Sequence, residues 1–279
     1  MRLFLSLLLV AGAACAAGLQ SDIEYGKAGD VSLKLDAWIP EGNGPFPAVI
    51  LVHGGGWNHG DKADNFRWVF EPLSKAGFAW FSVNYRLAPK YLYPAAIDDV
   101  LQSVKWLEAH AAEYHVDPKR IALSGESAGG HIVAYIAARY GRDLKIAAVA
   151  PFYPATDFDA LVEGQDKTQL AYRGVLQFVG FKEPTDEARK VMGEASPITW
   201  VRPGMPPFLF IHGTKDQLCN FHQSVEMCDK MKAAGSKCEI YAVEGAPHWI
   251  GNWEKERDTH PEWLAYKQKL PEWLKKTMK

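Results

Sequence analysis

Residues 120–139 join an apolar run to an Ala-rich stretch through the turn Gly125-Glu126-Ser127-Ala128-Gly129. Arg120-Ile121-Ala122-Leu123-Ser124 reads as a short buried strand. The stretch from Gly130 to Arg139 reads as a helix. A Gly-x-Ser-x-Gly turn between strand and helix holds the serine hydroxyl up and exposed, and small flanking residues let the backbone turn without clash. The helix that follows offers N–H groups and a positive dipole end to a developing anion. Ser127 is therefore a candidate nucleophile and the Ala128 N–H a candidate donor.

The rest of the chain repeats the alternation of strand and helix. Val31 to Ile39 alternates polar and apolar residues, as an edge or half-buried strand does. Phe46 to Val52, Phe78 to Val83, Ile146 to Pro151 and Phe208 to Ile211 are apolar runs of strand length, and Cys238 to Val243 is strand-like. Pro94 to Ala112 and Phe221 to Ala234 have helical character, the second ending at Gly235 as a C-terminal cap. Trp263 to Met278 reads as a final helix interrupted or restarted at Pro271. This order predicts an α/β fold with a mostly parallel central sheet and helices on both faces. Pro154 to Pro206 breaks the rhythm and reads as a small cap-like insertion within one domain of residues 18–279.

A serine hydroxyl is a weak nucleophile until a base takes its proton, an acid orients that base and donors receive the oxyanion. Three loops at predicted strand ends offer these parts. His53-Gly54-Gly55-Gly56-Trp57 follows the strand ending at Val52, so Gly55 and Gly56 join Ala128 as candidate oxyanion donors. Asp216 lies in the loop after the strand ending at Ile211 and is the candidate acid, although loop aspartates also cap turns and helices. Asp229, predicted within a helix, and Glu244 are weaker rivals. Of nine histidines, only His248 follows both Ser127 and Asp216 and sits in a loop after a strand. The order Ser, Asp, His is that of the strand–turn–helix serine architecture. His131 is expected to pack beneath the turn, and His212 to be structural.

A net charge of −2 gives no reason to expect nucleic acid or an anionic membrane as partner. Residues 1–17 read as a signal peptide: Met1-Arg2, an apolar stretch to Val10, then Ala14-Cys15-Ala16 as a cleavage pattern. Export follows, to the periplasm or the extracellular space, with no stable membrane insertion after cleavage. An uncleaved anchor, and lipidation at Cys15, are the alternatives. Export permits disulfides. Cys219, Cys228 and Cys238 then remain, and a helix–turn–strand hairpin could pair Cys228 with Cys238; three buried free thiols are the other possibility. No metal-ligand spacing is present in the sequence.

The motifs together resemble the α/β-hydrolase superfamily, in particular its esterases with a His-Gly-Gly-Gly oxyanion motif. The matching residues are His53 to Trp57, Gly60-Asp61-Lys62, Asn84 to Pro89, Tyr93 to Ala96, Gly125 to Gly130, His212 to Asp216 and Glu244 to His248. Trp57 and the Glu126/His131 pair resemble the feruloyl and acetylxylan carbohydrate esterases more than the neighbouring hormone-sensitive-lipase-like group. Trp249-Ile250 departs from the Gly and aromatic that many relatives carry after the base. The resemblance implies hydrolysis of carboxylic esters through an acyl-enzyme, with Ser127, His248 and Asp216 as the triad and no cofactor or metal. With export, it points to acetyl or feruloyl esters on plant polysaccharide. Trp57, Trp249 and Trp253 are candidate platforms for a sugar or aryl group. A broad short-chain carboxylesterase and a catalytically inactive binding protein are the rival readings.

Overall fold

Alternation along the central strands builds two cores. In β3 (Phe46–Val52), Ala48, Ile50 and Val52 face one side and Val49 and Leu51 the other. In β7 (Phe208–Gly213), Phe208 and Phe210 separate from Leu209 and Ile211 in the same way. Strands apolar on both faces must be covered on both faces. The structure, a computed structural model, describes residues 16–63 and 66–279. The expected leader and Cys15 lie outside the described residues, apart from Ala16 and Ala17.

In chain order the remaining strands are β1 (Gly18–Ala28), β2 (Val31–Ile39), β4 (Ala79–Val83), β5 (Val116–Glu126), β6 (Ile146–Phe152) and β8 (Cys238–Val243). The helices are α1 (Phe70–Lys75), α2 (Ala95–His110), α3 (Ala128–Tyr140), α4 (Phe158–Glu163), α5 (Leu170–Val179), α6 (Asp186–Ala195), α7 (His222–Ala233), α8 (Ile250–Lys255) and α9 (Tyr266–Thr277). The sheet runs β1-β2-β4-β3-β5-β6-β7-β8. Its first two pairings are antiparallel and the rest parallel. Helices α2, α3 and α7 cover one core, and α1, α8 and α9 the other. All strands from β3 onward therefore end on one edge, where ligand sites of such sheets form.

Two sequence readings are refined. Of the edge and half-buried alternatives for β2 the second holds, since β1, with Leu19 exposed, pairs outside it. The final helix is neither broken nor restarted at Pro271; Pro271 lies inside α9. An interior proline costs about 3 kcal/mol, and here Tyr266, Leu270, Trp273 and Leu274 bury enough surface to hold the helix. The stretch from Pro154 to Pro206 contributes α4, α5, α6 and a short 3-10 turn between β6 and β7.

Cys228 of α7 and Cys238 of β8 are joined, with Cα atoms 5.5 Å apart, while Cys219 is a buried free thiol. The bond closes a loop of ten residues' separation. A loop that short contributes about 2–3 kcal/mol by restricting the unfolded chain. Replacing both cysteines by alanine is expected to lower Tm by roughly 5–10 °C for a domain of this size, measured by calorimetry. An unchanged Tm would show that the crosslink does not stabilise the fold.

Candidate active site

Ser127 sits between β5 and α3 at φ 51°, ψ −115°, in a backbone region that L-residues rarely adopt. Its N–H bonds the Phe152 carbonyl at 3.0 Å, which fixes the turn. The turn is possible because α3 begins hard against β3. A Cβ on Gly129 would stand 2.1 Å from the Val52 carbonyl oxygen, so only glycine fits there.

The three loops meet as the sequence anticipates. His248 Nε2 lies 3.0 Å from Ser127 Oγ, and His248 Nδ1 lies 2.6 Å from Asp216 Oδ2. The rivals Asp229 and Glu244 are exposed. Asp216 also makes the turn that was the alternative reading of it. Its Oδ1 accepts the N–H groups of Leu218 at 2.8 Å and Cys219 at 2.9 Å, leaving Oδ2 for histidine. A second histidine reaches the same oxygen: His212 Nε2 is 3.2 Å from Oδ2 and 2.8 Å from the Cys219 carbonyl. A carbonyl only accepts, so His212 Nε2 carries the hydrogen, and its Nδ1 accepts from Ser224 Oγ at 2.7 Å. Burial raises the Asp216 carboxyl, but hydrogen bonds from His212 and His248 outweigh it and hold the group at about 2. Because that value is depressed, the stability Asp216 contributes is present above the ordinary carboxylate range and lost as pH falls toward 2.

Gly55 (φ +106°) and Gly56 (φ +55°) line the same cavity as Ser127 and Ala128. The Gly55 carbonyl turns back to accept from Asn58 and His59, and no described group occupies the Gly55 or Gly56 N–H. Family-motif residues hold this loop from below. Tyr85 stacks on His53 and donates to its carbonyl at 3.0 Å. Asn84 bonds Asp61 and the Lys62 N–H, and Arg86 forms a fork with buried Asp99.

The cavity holds about 770 Å³. Besides the glycine loop, Ser127 and His248, it is lined by Leu161, Leu170, Arg173, Gln177 and Leu218. These come from the insertion and from the acid loop, where no motif marked them. Gln177 of α5 accepts from Asn58 at 2.7 Å and ties the insertion to the glycine loop. Trp249 stands at the rim, 40% exposed. Trp57, expected as a platform, is only 4% exposed: Nε1 donates to His131 Nδ1 and the ring stacks on Phe178, so it backs the wall from inside. Trp253 is fully buried and donates to the Pro247 carbonyl, propping the base loop from the far side. His131 packs under the turn, bonded to Trp57 and Ala195, and burial lowers it to about 4, so it is neutral.

Tyr153 went unmarked in the sequence. It follows β6 directly, and a residue at that end of a central parallel strand faces the site, which is the signal that could have found it. Its ring meets the His248 ring edge-on at 4.6 Å. Among the described residues no group of three or more His, Cys, Asp or Glu could hold a metal ion.

A doubly covered, mostly parallel sheet with serine, aspartate and histidine on the loops after β5, β7 and β8 is the α/β-hydrolase fold. Residues 35–231 match the BD-FAE family model, and the chain belongs to that family. Esterase LipC of Mycobacterium tuberculosis is 30% identical over 231 residues, covering 78% of this chain and 57% of that protein. The chain spans about half the length of the curated relatives it matches. The carboxylesterase EstE1, cloned from a metagenomic library, superposes with a TM-score of 0.78 at 26% identity, covering 95% of this chain and 91% of EstE1. A truncated carbohydrate esterase from gut microbiota shares the fold, with a TM-score of 0.80 at 24% identity over 96% of this chain and 98% of that one.

Proposed function

We propose that this protein hydrolyses carboxylic esters through an acyl-enzyme on Ser127. The observation that carries the reading is the continuous Ser127–His248–Asp216 array at 3.0 and 2.6 Å, with Ser127 and His248 lining a large cavity. In the first step the Ser127 Oγ–carbonyl bond forms while the serine proton passes to His248. The negative oxygen is received by Gly55, Gly56 and Ala128. Collapse breaks the bond to the alcohol, which leaves with the proton from His248. Water then attacks the acyl-serine with His248 again as base, releasing the acid and restoring Ser127. Asp216 holds the imidazole and stays ionised throughout. No step requires a cofactor or metal.

The substrate reading is an acetyl or feruloyl ester on plant polysaccharide, met after export. It is supported by the Glu126/His131 pattern around the serine, by the leader-like N-terminus and by half-exposed Trp249 beside polar Asn58, Arg173 and Gln177. The second reading is a broad short-chain carboxylesterase, favoured by the apolar Leu161, Leu170 and Leu218 in the lining. The test is a panel of acetylated xylan, methyl ferulate and 4-nitrophenyl esters of rising chain length. A burst on 4-nitrophenyl acetate with the highest kcat/KM on acetylated xylan or methyl ferulate is the expected result. A preference for simple 4-nitrophenyl esters would favour the second reading. No turnover of any ester would overturn both and leave a binding protein.

A further inference from the structure

Glu126 precedes the nucleophile, is buried, and has no role in the proton path described above. Its surroundings link all three parts of the site. Gly54, at the base of the glycine loop, packs against the Glu126 side chain, and the Gly54 backbone favours the ionised carboxyl. Oε2 accepts the Tyr153 hydroxyl at 2.6 Å. The Tyr153 oxygen in turn accepts the Ile250 N–H at 2.8 Å, two residues past His248. Packing is tight here, since a Cβ on Gly54 would stand 3.1 Å from the Glu126 side chain.

We propose that Glu126 is a positioning residue that clamps the glycine loop, the serine turn and the His248 loop into one assembly through Gly54, Tyr153 and Ile250. The inference rests on the esterase reading for its substrate but not for its geometry. The clamp sets where the Gly55 and Gly56 N–H groups stand relative to Ser127 Oγ, and where His248 stands relative to both. Misplacement of a reacting group by about 1 Å can cost a hundredfold in rate.

The clamp also carries a pH dependence. Burial raises the Glu126 carboxyl, and the Tyr153 hydrogen bond and the Gly54 backbone pull it only part of the way back, to about 8. The groups facing it are Tyr85 from the loop after β4, Tyr153 after β6 and Tyr266 of α9, all pushed up by burial first. His53, beside Tyr85, is lowered by burial to about 4 and is neutral. His248 lies beyond Tyr153. No cation is among the groups that set the Glu126 titration. Below about 8, Glu126 is a neutral acid. Above it, a carboxylate forms beside the seat of the oxyanion and opposes the charge that develops there. The raised value also means that folding stability falls as pH climbs from the ordinary glutamate range toward 8.

The experiment compares Glu126→Gln, Glu126→Ala and Tyr153→Phe with the wild type on two reactions, with thermal unfolding as a check on folding. One reaction is 4-nitrophenyl acetate hydrolysis from pH 6 to 10. The other is the single phosphorylation of Ser127 by diethyl 4-nitrophenyl phosphate, in which the Oγ–P bond forms as 4-nitrophenolate leaves. Glu126→Ala and Tyr153→Phe are expected to lower kcat roughly tenfold to a hundredfold with KM little changed. Glu126→Gln, a neutral isostere, should recover most of that loss and abolish the decline of kcat above pH 8. The same ranking is expected in the phosphorylation rate. Should Glu126→Gln keep the wild-type alkaline decline, or Tyr153→Phe keep full kcat, the clamp is wrong while ester hydrolysis stands. If the wild type turns over no ester but shows the ranking in phosphorylation, the clamp stands and the esterase reading falls. A wild type whose Ser127 takes no phosphoryl group would overturn both.

Discussion

Ser127→Ala is expected to lower kcat/KM for 4-nitrophenyl acetate by about 10⁴- to 10⁶-fold. The hydroxyl is the only group lost. Alanine keeps the Cβ that the φ 51° turn already accommodates, and the backbone N–H still bonds the Phe152 carbonyl at 3.0 Å. Thermal unfolding should therefore move by less than about 2 °C, since no buried partner is orphaned. His248→Ala should cost about as much, because a serine without its base is as idle as a base without its serine. The double variant should then be no worse than either single one, since groups that act as a unit are not additive. A Ser127→Ala protein with a tenth or more of the wild-type rate would remove Ser127 from the chemistry.

The second large effect is expected at Asp216. Asp216→Asn should lower kcat by about 10³- to 10⁴-fold with KM little changed, measured on the same ester. The size follows from how fully its two oxygens are used. One must accept the N–H groups of Leu218 and Cys219, so in asparagine that position is the carbonyl oxygen. The amide NH₂ then faces His248 Nδ1 and His212 Nε2. His212 cannot adapt, because its Nε2 hydrogen is fixed by the Cys219 carbonyl and Ser224. His248 can adapt only by moving its hydrogen to Nε2, the nitrogen 3.0 Å from Ser127 Oγ, where it no longer accepts the serine proton. Activity near that of the wild type in Asp216→Asn would show that the imidazole is oriented by something else. Asp216→Ala would be less informative, because it also frees the Leu218 and Cys219 N–H groups and loosens the loop.

The two variants probe parts that differ in how visible they are in the chain. Ser127, Asp216 and His248 were legible because each lies in a loop directly after an apolar strand, and local sequence marks both the strand and its end. The strand ranges of β2, β3 and β8 were legible to the residue for the same reason. β1 was not, because Ser21 interrupts the alternation of Leu19, Ile23 and Tyr25; pairing with β2 makes it a strand. The cavity lining was not legible either, since Leu161, Leu170, Arg173 and Gln177 belong to helices whose placement depends on packing across 100 residues or more of chain, as in the Asn58–Gln177 bond. The tryptophans show the limit most plainly. Composition offers three candidate platforms, and the fold buries Trp57 and Trp253 while leaving Trp249 at the rim.

Local pattern alone determined the alternating α/β order, the serine turn and the chain order of Ser127, Asp216 and His248. These depend on side-chain period and on turn chemistry within a few residues, which sequence records directly. Tertiary structure decided which histidine pair shares Asp216, which tryptophan meets solvent and that Glu126 reaches Gly54 and Tyr153 at once. Those are contacts between residues distant in the chain. They are set by how strands stack side by side and how helices close over them, and no neighbouring residue carries that information.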